Sequence, residues 1–321
     1  MPLPLSRPSA CCAVLLLFAL ALLATAPAVA RADGIFVADC SFSHRAPDDP
    51  IVFHGMPGMS HSHDFYGNES TNASSTSQSL ARNADNCLPA DDHSAYWTPT
   101  LYRHGRALRA VQVQAYYQDF FRFGRVLPFP PGLRMVAGRP WATKPQRGVI
   151  GWKCQNDHSL EGSARPPSCG SRFVTLRVTF PDCWDGRRLD SPDHRSHMAY
   201  NREGGKELGL QRCPASHPVV VPQLQLNVVY PIHNGKGVTL ASGSVLTAHA
   251  DFFNGWKPTV LQQRVDDVLN GGMACDDFIG CATISAPNTE PVLARPRAKL
   301  VDRFYPPRGA MLHMHAHPRH R

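Results

Sequence analysis

Short stretches in which every second residue is apolar recur along the chain, and they constrain the fold more than any other feature. Residues 172–180 show this alternation, and residues 221–230 and 111–115 repeat it. A period of two is typical of a strand that buries one face and exposes the other. Further candidate strands lie at residues 35–38, 51–54, 95–102, 149–153 and 238–249.

Helical patterns are scarce, and the 29 prolines of the chain leave little room for long helices. One helix is predicted from Pro258, because the apolar residues that follow share one face and Gly271-Gly272 ends the pattern. A second, shorter helix is predicted at Ser191, with serine as N-cap and Pro192 in the first turn. We therefore expect an all-β dominated fold: an antiparallel β-sandwich with long loops and one or two short helices, stapled by disulfides.

The first thirty residues have the composition of a secretory signal peptide. Arg7 is basic, residues 14–23 are apolar, and Ala28-Val29-Ala30 matches the small-residue cleavage pattern. The apolar run is shorter than the ~20 residues that span a bilayer, and no later stretch approaches that length. The sequence predicts cleavage near Ala30 or Ala32, secretion to the extracellular space and no transmembrane anchor.

Cysteine usage agrees with export. Cys11 and Cys12 would leave with the signal peptide, and an even number of cysteines in an exported chain is typical of a disulfide framework. Sequential pairing is the simplest arrangement, although the sequence alone does not choose among the alternatives. A zinc site is the rival interpretation, but no pair has the tight spacing that such sites favour. The eight remaining residues are Cys40, Cys87, Cys154, Cys169, Cys183, Cys213, Cys275 and Cys281.

The net charge of +8 belongs mostly to the C-terminal end of the chain. Residues 286–321 contain seven Lys/Arg and two acids, whereas the chain without this tail and Arg7 contains 25 basic and 23 acidic residues. Because basic and acidic residues nearly balance outside the tail, the sequence does not indicate nucleic-acid binding by the domain. We expect one domain over residues 31–285 that is monomeric, followed by a disordered basic tail rich in His, Pro and Arg. Weak metal binding by the alternating histidines of the tail is the alternative.

Four short motifs combine histidine with aspartate, and each is followed by aromatic residues. They lie at residues 61–64, 91–93, 190–197 and 249–251. Imidazoles and carboxylates transfer protons and bind metals, so the repeated motifs predict one composite site. Loop-tying hydrogen bonds are the alternative interpretation. The candidate catalytic residues are His61, His63, Asp64, Asp92, Asp193, His194, His197, His249 and Asp251.

Spacing within the motifs indicates which side chains act together. In an extended segment His61 and His63 point the same way while Asp64 points elsewhere, and His249 and Asp251 have the same two-residue spacing. Three histidine-bearing segments plus a carboxylate are a common basis for a divalent metal site. The candidate metal ligands are His61, His63, His197 and His249.

Aromatic residues beside the motifs offer a stacking surface for sugar rings. Core packing is the alternative for each of them. The candidate substrate-binding residues are Tyr96, Trp97, Trp184, Tyr200, Asn254 and Trp256.

The motifs and their order resemble a family of secreted bacterial and fungal proteins, the domain of unknown function DUF1996. The resemblance covers residues 39–281 and implies one domain, but it implies no activity. In many members a bulkier residue, often Met, stands where this chain has Ser62. The matching motifs are residues 40–44, 48–52, 61–68, 94–99, 180–186, 189–200 and 249–256.

Two classes of function follow from these observations. The first is a secreted enzyme that acts on extracellular polysaccharide or cell-wall material by hydrolysis or elimination, with the histidines as ligands or acid/base groups. Asp193 and Asp251 could supply the two carboxylates that glycosidases normally need. The second is a non-catalytic module that binds cell-wall glycans or a metal ion.

Overall fold

The computed structural model describes residues 34–119, 125–157, 159, 162–201, 213–271, 273–276 and 280–283. The predicted signal peptide, His158 and the His-rich tail lie outside these residues. Their predictions therefore stay predictions.

Strands dominate the described part of the chain. In chain order they are β1 (Ile35–Cys40), β2 (Phe42–Ala46), β3 (His63–Gly67), β4 (Cys87–Leu88), β5 (Ala95–Pro99), β6 (Leu101–Arg103), β7 (Arg106–Leu108), β8 (Gln112–Gln118), β9 (Arg134–Gly138), β10 (Ile150–Cys154), β11 (Val174–Thr179), β12 (Cys183–Trp184), β13 (Met198–Ala199), β14 (Val219–Val220), β15 (Gln223–Tyr230), β16 (Val238–Leu240), β17 (His249–Phe253), β18 (Met273–Asp276) and β19 (Gly280–Thr283). The helices are α1 (Ser77–Leu80), α2 (Pro258–Arg264), a 3-10 turn (Val245–Thr247) and a π-helical turn (Val265–Leu269).

Two sheets form the body of the fold. The larger has the order β10-β11-β15-β8-β1-β18-β19, with β4 paired to β1, and the smaller has the order β2-β3-β5-β17-β9. Every pair is antiparallel except β1 with β18. Two further sheets of three strands each, β13-β12-β14 and β16-β6-β7, complete the topology.

The main core lies between the two large sheets. Tyr66, Tyr96 and Phe252 of the five-stranded sheet belong to the same buried cluster as Tyr117 and Leu226 of the eight-stranded sheet. The hydroxyl groups of Tyr96 and Tyr117 are 2.5 Å apart and link the sheets directly. Two sheets facing each other across one core confirm the predicted β-sandwich.

The opposite face of the five-stranded sheet carries a second, smaller core. Phe65, Trp97, Val136 and Phe253 lie on it, because alternate residues of a strand point to opposite faces. This second face, called the outer face below, is where the candidate site is found.

The helix predicted from Pro258 is confirmed, whereas the short helix predicted at Ser191 is wrong. The Ser191 hydroxyl and the Asp193 carboxylate accept the backbone N–H of Arg195, which closes a turn instead of a helix. His194 in this turn has a φ of +55°, in the left-handed region that no right-handed helix contains.

The strand predicted at residues 51–54 is also wrong, since these residues form a turn. Both Ile51 and Val52 donate their backbone N–H to the Asp49 side chain, so those groups are not free for a sheet. The long candidate at 238–249 divides into β16, the 3-10 turn and the start of β17.

Three predicted disulfides are confirmed: Cys40–Cys87, Cys154–Cys169 and Cys183–Cys213. In the hairpin of β18 and β19, Cys275 stands opposite Cys281 in the backbone register. Their side chains lie outside the described part, so that fourth bond stays a prediction. Disulfides of this number fit an extracellular protein.

Among the described residues, no helix has both the length and the apolar composition needed to cross a membrane.

Candidate metal centre

Three of the predicted histidines meet on the outer face. The ring centres of His61 and His63 are 4.2 Å apart, and that of His249 is 5.0 Å from His61 and 5.8 Å from His63. One ring nitrogen of each residue lies within 4.8 Å of the other two. We call these residues the histidine triad.

The sheet register brings His63 and His249 together. His63 is opposite Pro99 on one side of β5, while Asp251 is opposite Trp97 on the other. Continuing that second register by two residues places His249 level with Pro99 as well. Both imidazoles therefore lie at the Pro99 end of β5, with their ring centres 5.8 Å apart. Strands two places apart are separated by about 9.5 Å, so the rings span this gap by leaning inward.

Gly138 of β9 gives His249 the space it occupies. It pairs with His249 and has a φ of +84°. A Cβ at this position would lie 2.9 Å from the His249 Cα and 2.7 Å from the carbonyl oxygen of Ala248. Sequence reasoning missed both Pro99 and Gly138. Glycine and proline at the ends of strand-like stretches were the available signal, because each has a positional meaning there.

Backbone carbonyls fix two of the three rings. Nδ1 of His63 donates to the carbonyl oxygen of Asp48 and Nδ1 of His249 donates to that of Thr247, both at 2.9 Å. A carbonyl only accepts, so the proton must be on Nδ1 and the lone pair on Nε2. This arrangement is typical of metal-bound histidines, whose second nitrogen is held by a carbonyl or carboxylate.

Two ring nitrogens of the triad have no hydrogen-bond partner among the described residues. Nε2 of His61 and Nε2 of His63 are both buried without a hydrogen bond. Burial lowers the pKa of His61, that of His63 well below its usual value and that of His249 to about 3. The triad is therefore neutral near pH 7, the protonation state in which imidazole binds a metal ion.

A carboxylate on the same face is also unpartnered. Asp251 lies two residues beyond His249 and is 1% exposed, and neither of its oxygens has a hydrogen bond to a described residue. Nε1 of Trp97, opposite Asp251 in the register, is likewise buried without a partner. Burial raises the pKa of Asp251 well above its usual value, and the neighbouring charge of Asp49 raises it further while Arg195 lowers it.

The loop before His61 is held by carboxylates. Asp48 accepts the backbone N–H of Gly58 and of Ala73, and its carbonyl oxygen holds His63. Asp49 accepts the N–H of Ile51 and of Val52, and burial raises its pKa to about 6. These bonds fix the loop that delivers His61 to the triad.

Asp64 and Asp92 lie away from the triad. Asp64 follows His63 but points to the opposite face, where the Arg45 guanidinium donates to both carboxylate oxygens at 2.6 and 2.9 Å. Asp92 is buried and accepts from the N–H of Ser94 and the hydroxyl of Tyr96. Both carboxylates belong to hydrogen-bond networks of the main core.

The third motif is a separate turn. His197 has both ring nitrogens in hydrogen bonds, one with the Ser191 hydroxyl at 2.9 Å and one to the carbonyl of Arg134 at 2.7 Å. His194 contacts a carboxylate of the same turn, and Asp193 is exposed at its tip. The structure therefore does not bring these three residues into the triad.

Most of the candidate substrate-binding residues are core residues. The fully or nearly fully buried ones, each at most 3% exposed, are Tyr96, Trp97, Trp184, Asn254 and Trp256. Tyr200 is 38% exposed. Trp141, which sequence reasoning did not select, is 67% exposed and presents far more ring surface to solvent.

Comparison with known proteins identifies a family without a described activity. A family model described as Domain of unknown function (DUF1996) matches residues 49–256, which is more than half of the chain and includes the whole histidine triad. No curated protein matches the chain, and no solved structure matches it.

Proposed function

Because the chain belongs to the DUF1996 family, whose description assigns no activity, we propose a function from the site itself. The protein is a secreted enzyme that binds one transition-metal ion through His61, His63 and His249 and acts on extracellular polysaccharide. The predicted signal peptide and the three disulfides support the extracellular location.

One observation carries the metal assignment. Within the described part of the chain, Nε2 of His61 and Nε2 of His63 are buried with no hydrogen bond, in a cluster where one nitrogen of each of three histidines lies within 4.8 Å of the others. A buried polar atom without a partner costs about 1–3 kcal/mol, so three convergent neutral imidazoles are hard to explain without a ligand. A cation bound here would satisfy both nitrogens.

The donor set selects a class of ion. Imidazole nitrogen suits Zn²⁺, Cu²⁺, Fe²⁺ and Ni²⁺, whereas Ca²⁺ and Mg²⁺ prefer oxygen ligands. Three protein ligands leave one coordination position open, as in catalytic zinc sites. Such an ion supplies a nucleophilic water at neutral pH or polarises a substrate oxygen.

A glycosidase mechanism that depends on two carboxylates has less support. Asp193 is exposed at the tip of its turn, where it bonds to Ser191 and Ser196. Asp251 is fully buried on the outer face. These environments support no shared reaction centre for the two acids, so we favour the metal-dependent route.

Metal titration of the purified protein tests the proposal. The chain is secreted from an expression host, stripped with a chelator and titrated with Zn²⁺ and with Cu²⁺ by calorimetry. We expect one tightly bound ion, and we expect His63→Ala and His249→Ala each to weaken binding at least a hundredfold. His197→Ala is the matched control, because His197 is also buried but has both nitrogens bonded.

Two further measurements distinguish the triad from the tail as the source of binding and verify folding. A variant ending at residue 285 removes the histidines of the C-terminal tail, and circular dichroism verifies that each variant is folded. Stoichiometric binding that survives in both folded triad variants, or a folded wild type that binds neither ion, would refute the metal centre. Release of products from a panel of polysaccharides, lost on chelation and regained with metal, then tests catalysis.

A further inference from the structure

We propose that the substrate carries anionic sugar residues, and that Arg195 and Trp141 hold one of them beside the histidine triad. This inference rests on the proposed function, because it names the substrate class of the same site. Neither residue has a role in the metal centre itself.

The position of Arg195 places its charge next to the triad. Its Nη1 donates to the carbonyl oxygen of Val136 at 3.4 Å, and Val136 is opposite Asp251 in the pairing of β9 with β17. Arg195 therefore lies beside the part of β9 that pairs with Asp251, two residues along β17 from His249.

Arg195 has donor capacity that the described residues do not use. A guanidinium has five N–H donors, and the carbonyl of Val136 accepts from one of them. Asp193 and Asp251 are the acids whose charge reaches Arg195, but no ion pair joins it to a carboxylate among the described residues. Arg139 adds a second positive charge nearby. A guanidinium that is not paired with a carboxylate is suited to bind an anion through two parallel hydrogen bonds.

Trp141 supplies a surface for a ring. It follows Gly138, the partner of His249, by three positions, so it lies just beyond the strand that flanks the triad. The Arg195 guanidinium stacks at 5.6 Å from the Trp141 ring centre, and yet the residue remains 67% exposed. Tryptophan is usually highly buried, so an exposed ring fixed by an arginine is a candidate platform for a ligand.

The two side chains together match one chemical class. A uronic acid has an apolar ring face that stacks on an indole and a carboxylate that pairs with a guanidinium. A neutral hexose would use the indole and leave the cation without its partner. The arrangement therefore favours polymers that contain uronic acids over neutral glucans.

Binding measurements with oligosaccharides of equal length test this inference. We compare oligogalacturonate and oligomannuronate with a cello-oligosaccharide, using calorimetry on the chelator-treated protein and again after Zn²⁺ is added. We expect the uronates to bind and the neutral oligomer to bind at least tenfold more weakly. Arg195→Gln and Trp141→Ala should each weaken uronate binding at least tenfold while zinc stoichiometry stays at one.

A matched control is Arg187→Gln, which removes the same charge from an exposed position and should leave uronate affinity unchanged. Equal affinity for neutral and acidic oligomers, absence of uronate binding in the wild type, or unchanged affinity in Arg195→Gln would each overturn the inference. The metal-free measurement keeps the two proposals apart, because sugar affinity is then read without any ion in the triad.

Discussion

The two faces of the five-stranded sheet differ in how well their buried polar groups are hydrogen-bonded, although the same strands form both. On the inner face, which packs on the main core, Asp64 is hydrogen-bonded to Arg45 and Thr100, and Tyr96 is hydrogen-bonded to Asp92. On the outer face, the neighbouring residues His63, Trp97 and Asp251 each have buried polar atoms that no described residue partners.

Under the proposed function, the paired face serves stability and the unpaired face serves ligand binding. Residues 63 and 64 are adjacent in sequence but point to opposite faces, so a single step along β3 passes from an unpartnered imidazole to a paired carboxylate. Native proteins leave few buried polar groups unpaired, and a cluster of them on one face of one sheet requires a physical cause. The proposed bound ion supplies that cause.

The largest expected effect comes from Zn²⁺ binding at the histidine triad of the outer face. Zn²⁺ at a thousandfold excess over its Kd should raise the free energy of unfolding by about 4 kcal/mol, because the ion binds the folded triad and not the separated histidines. Thermal and urea unfolding with and without Zn²⁺ measure this change. The increase should vanish in His249→Ala. A wild type whose free energy of unfolding does not change with Zn²⁺ would contradict the prediction.

On the inner face, Asp64→Asn should lower the free energy of unfolding by about 3 kcal/mol. The substitution leaves the partly buried Arg45 guanidinium without its anion, and breaking a buried ion pair has effects of this size. Urea unfolding measures the loss. A decrease of less than about 1 kcal/mol would show that the ion pair of Asp64 with Arg45 does not stabilise the fold as expected.

Asp92 of the inner network should make stability depend on pH. Burial raises its pKa in the folded protein from 3.8 to about 6, so the folded state binds this proton more tightly than the unfolded state. The resulting stabilisation is complete below about pH 4 and is lost as pH rises through about 6, by up to about 3 kcal/mol at ~1.4 kcal/mol per pKa unit.

Asp92→Asn isolates this contribution. The difference in unfolding free energy between wild type and variant should change across pH 4 to 7 in the direction just given, as measured by urea unfolding at several pH values. A difference that stays constant across that range would contradict the assigned pKa.

The smallest effect is expected from Asp251→Asn, the same chemical change on the outer face. Asp251 has no hydrogen bond to a described residue to lose, so the metal-free protein should change its free energy of unfolding by no more than about 1 kcal/mol. The comparison with Asp64→Asn uses identical urea unfolding conditions. Equal losses in the two variants would mean that the two faces do not differ as the hydrogen bonds indicate.

Much of the fold could be predicted from sequence. Strands β11 and β15 follow from their alternation, and sequential pairing gave three correct disulfides because short loops join neighbouring cysteines. The turn at residues 51–54 could not be predicted from apolar content, since the Asp49 side chain decides it. A side chain that caps backbone groups overrides local strand propensity.

The candidate site was predicted in part. Spacing placed His61 with His63 and separated Asp64 from them, because the strand period fixes which residues share a face. It could not show that His249 meets them, since that contact depends on β5 lying between β3 and β17. Nor could it exclude His197, whose hydrogen bonds to Ser191 and Arg134 exist only after folding.

The interposed strand β5 has a consequence for the order of events in maturation. His63 and His249 are far apart in sequence and become neighbours only when β5 has paired on both edges. The nascent chain therefore offers no complete set of ligands, and the pairing of β5 on both edges must precede binding of the proposed ion at the triad. If the proposed ion binds there, it binds the assembled sheet and is not a template for folding.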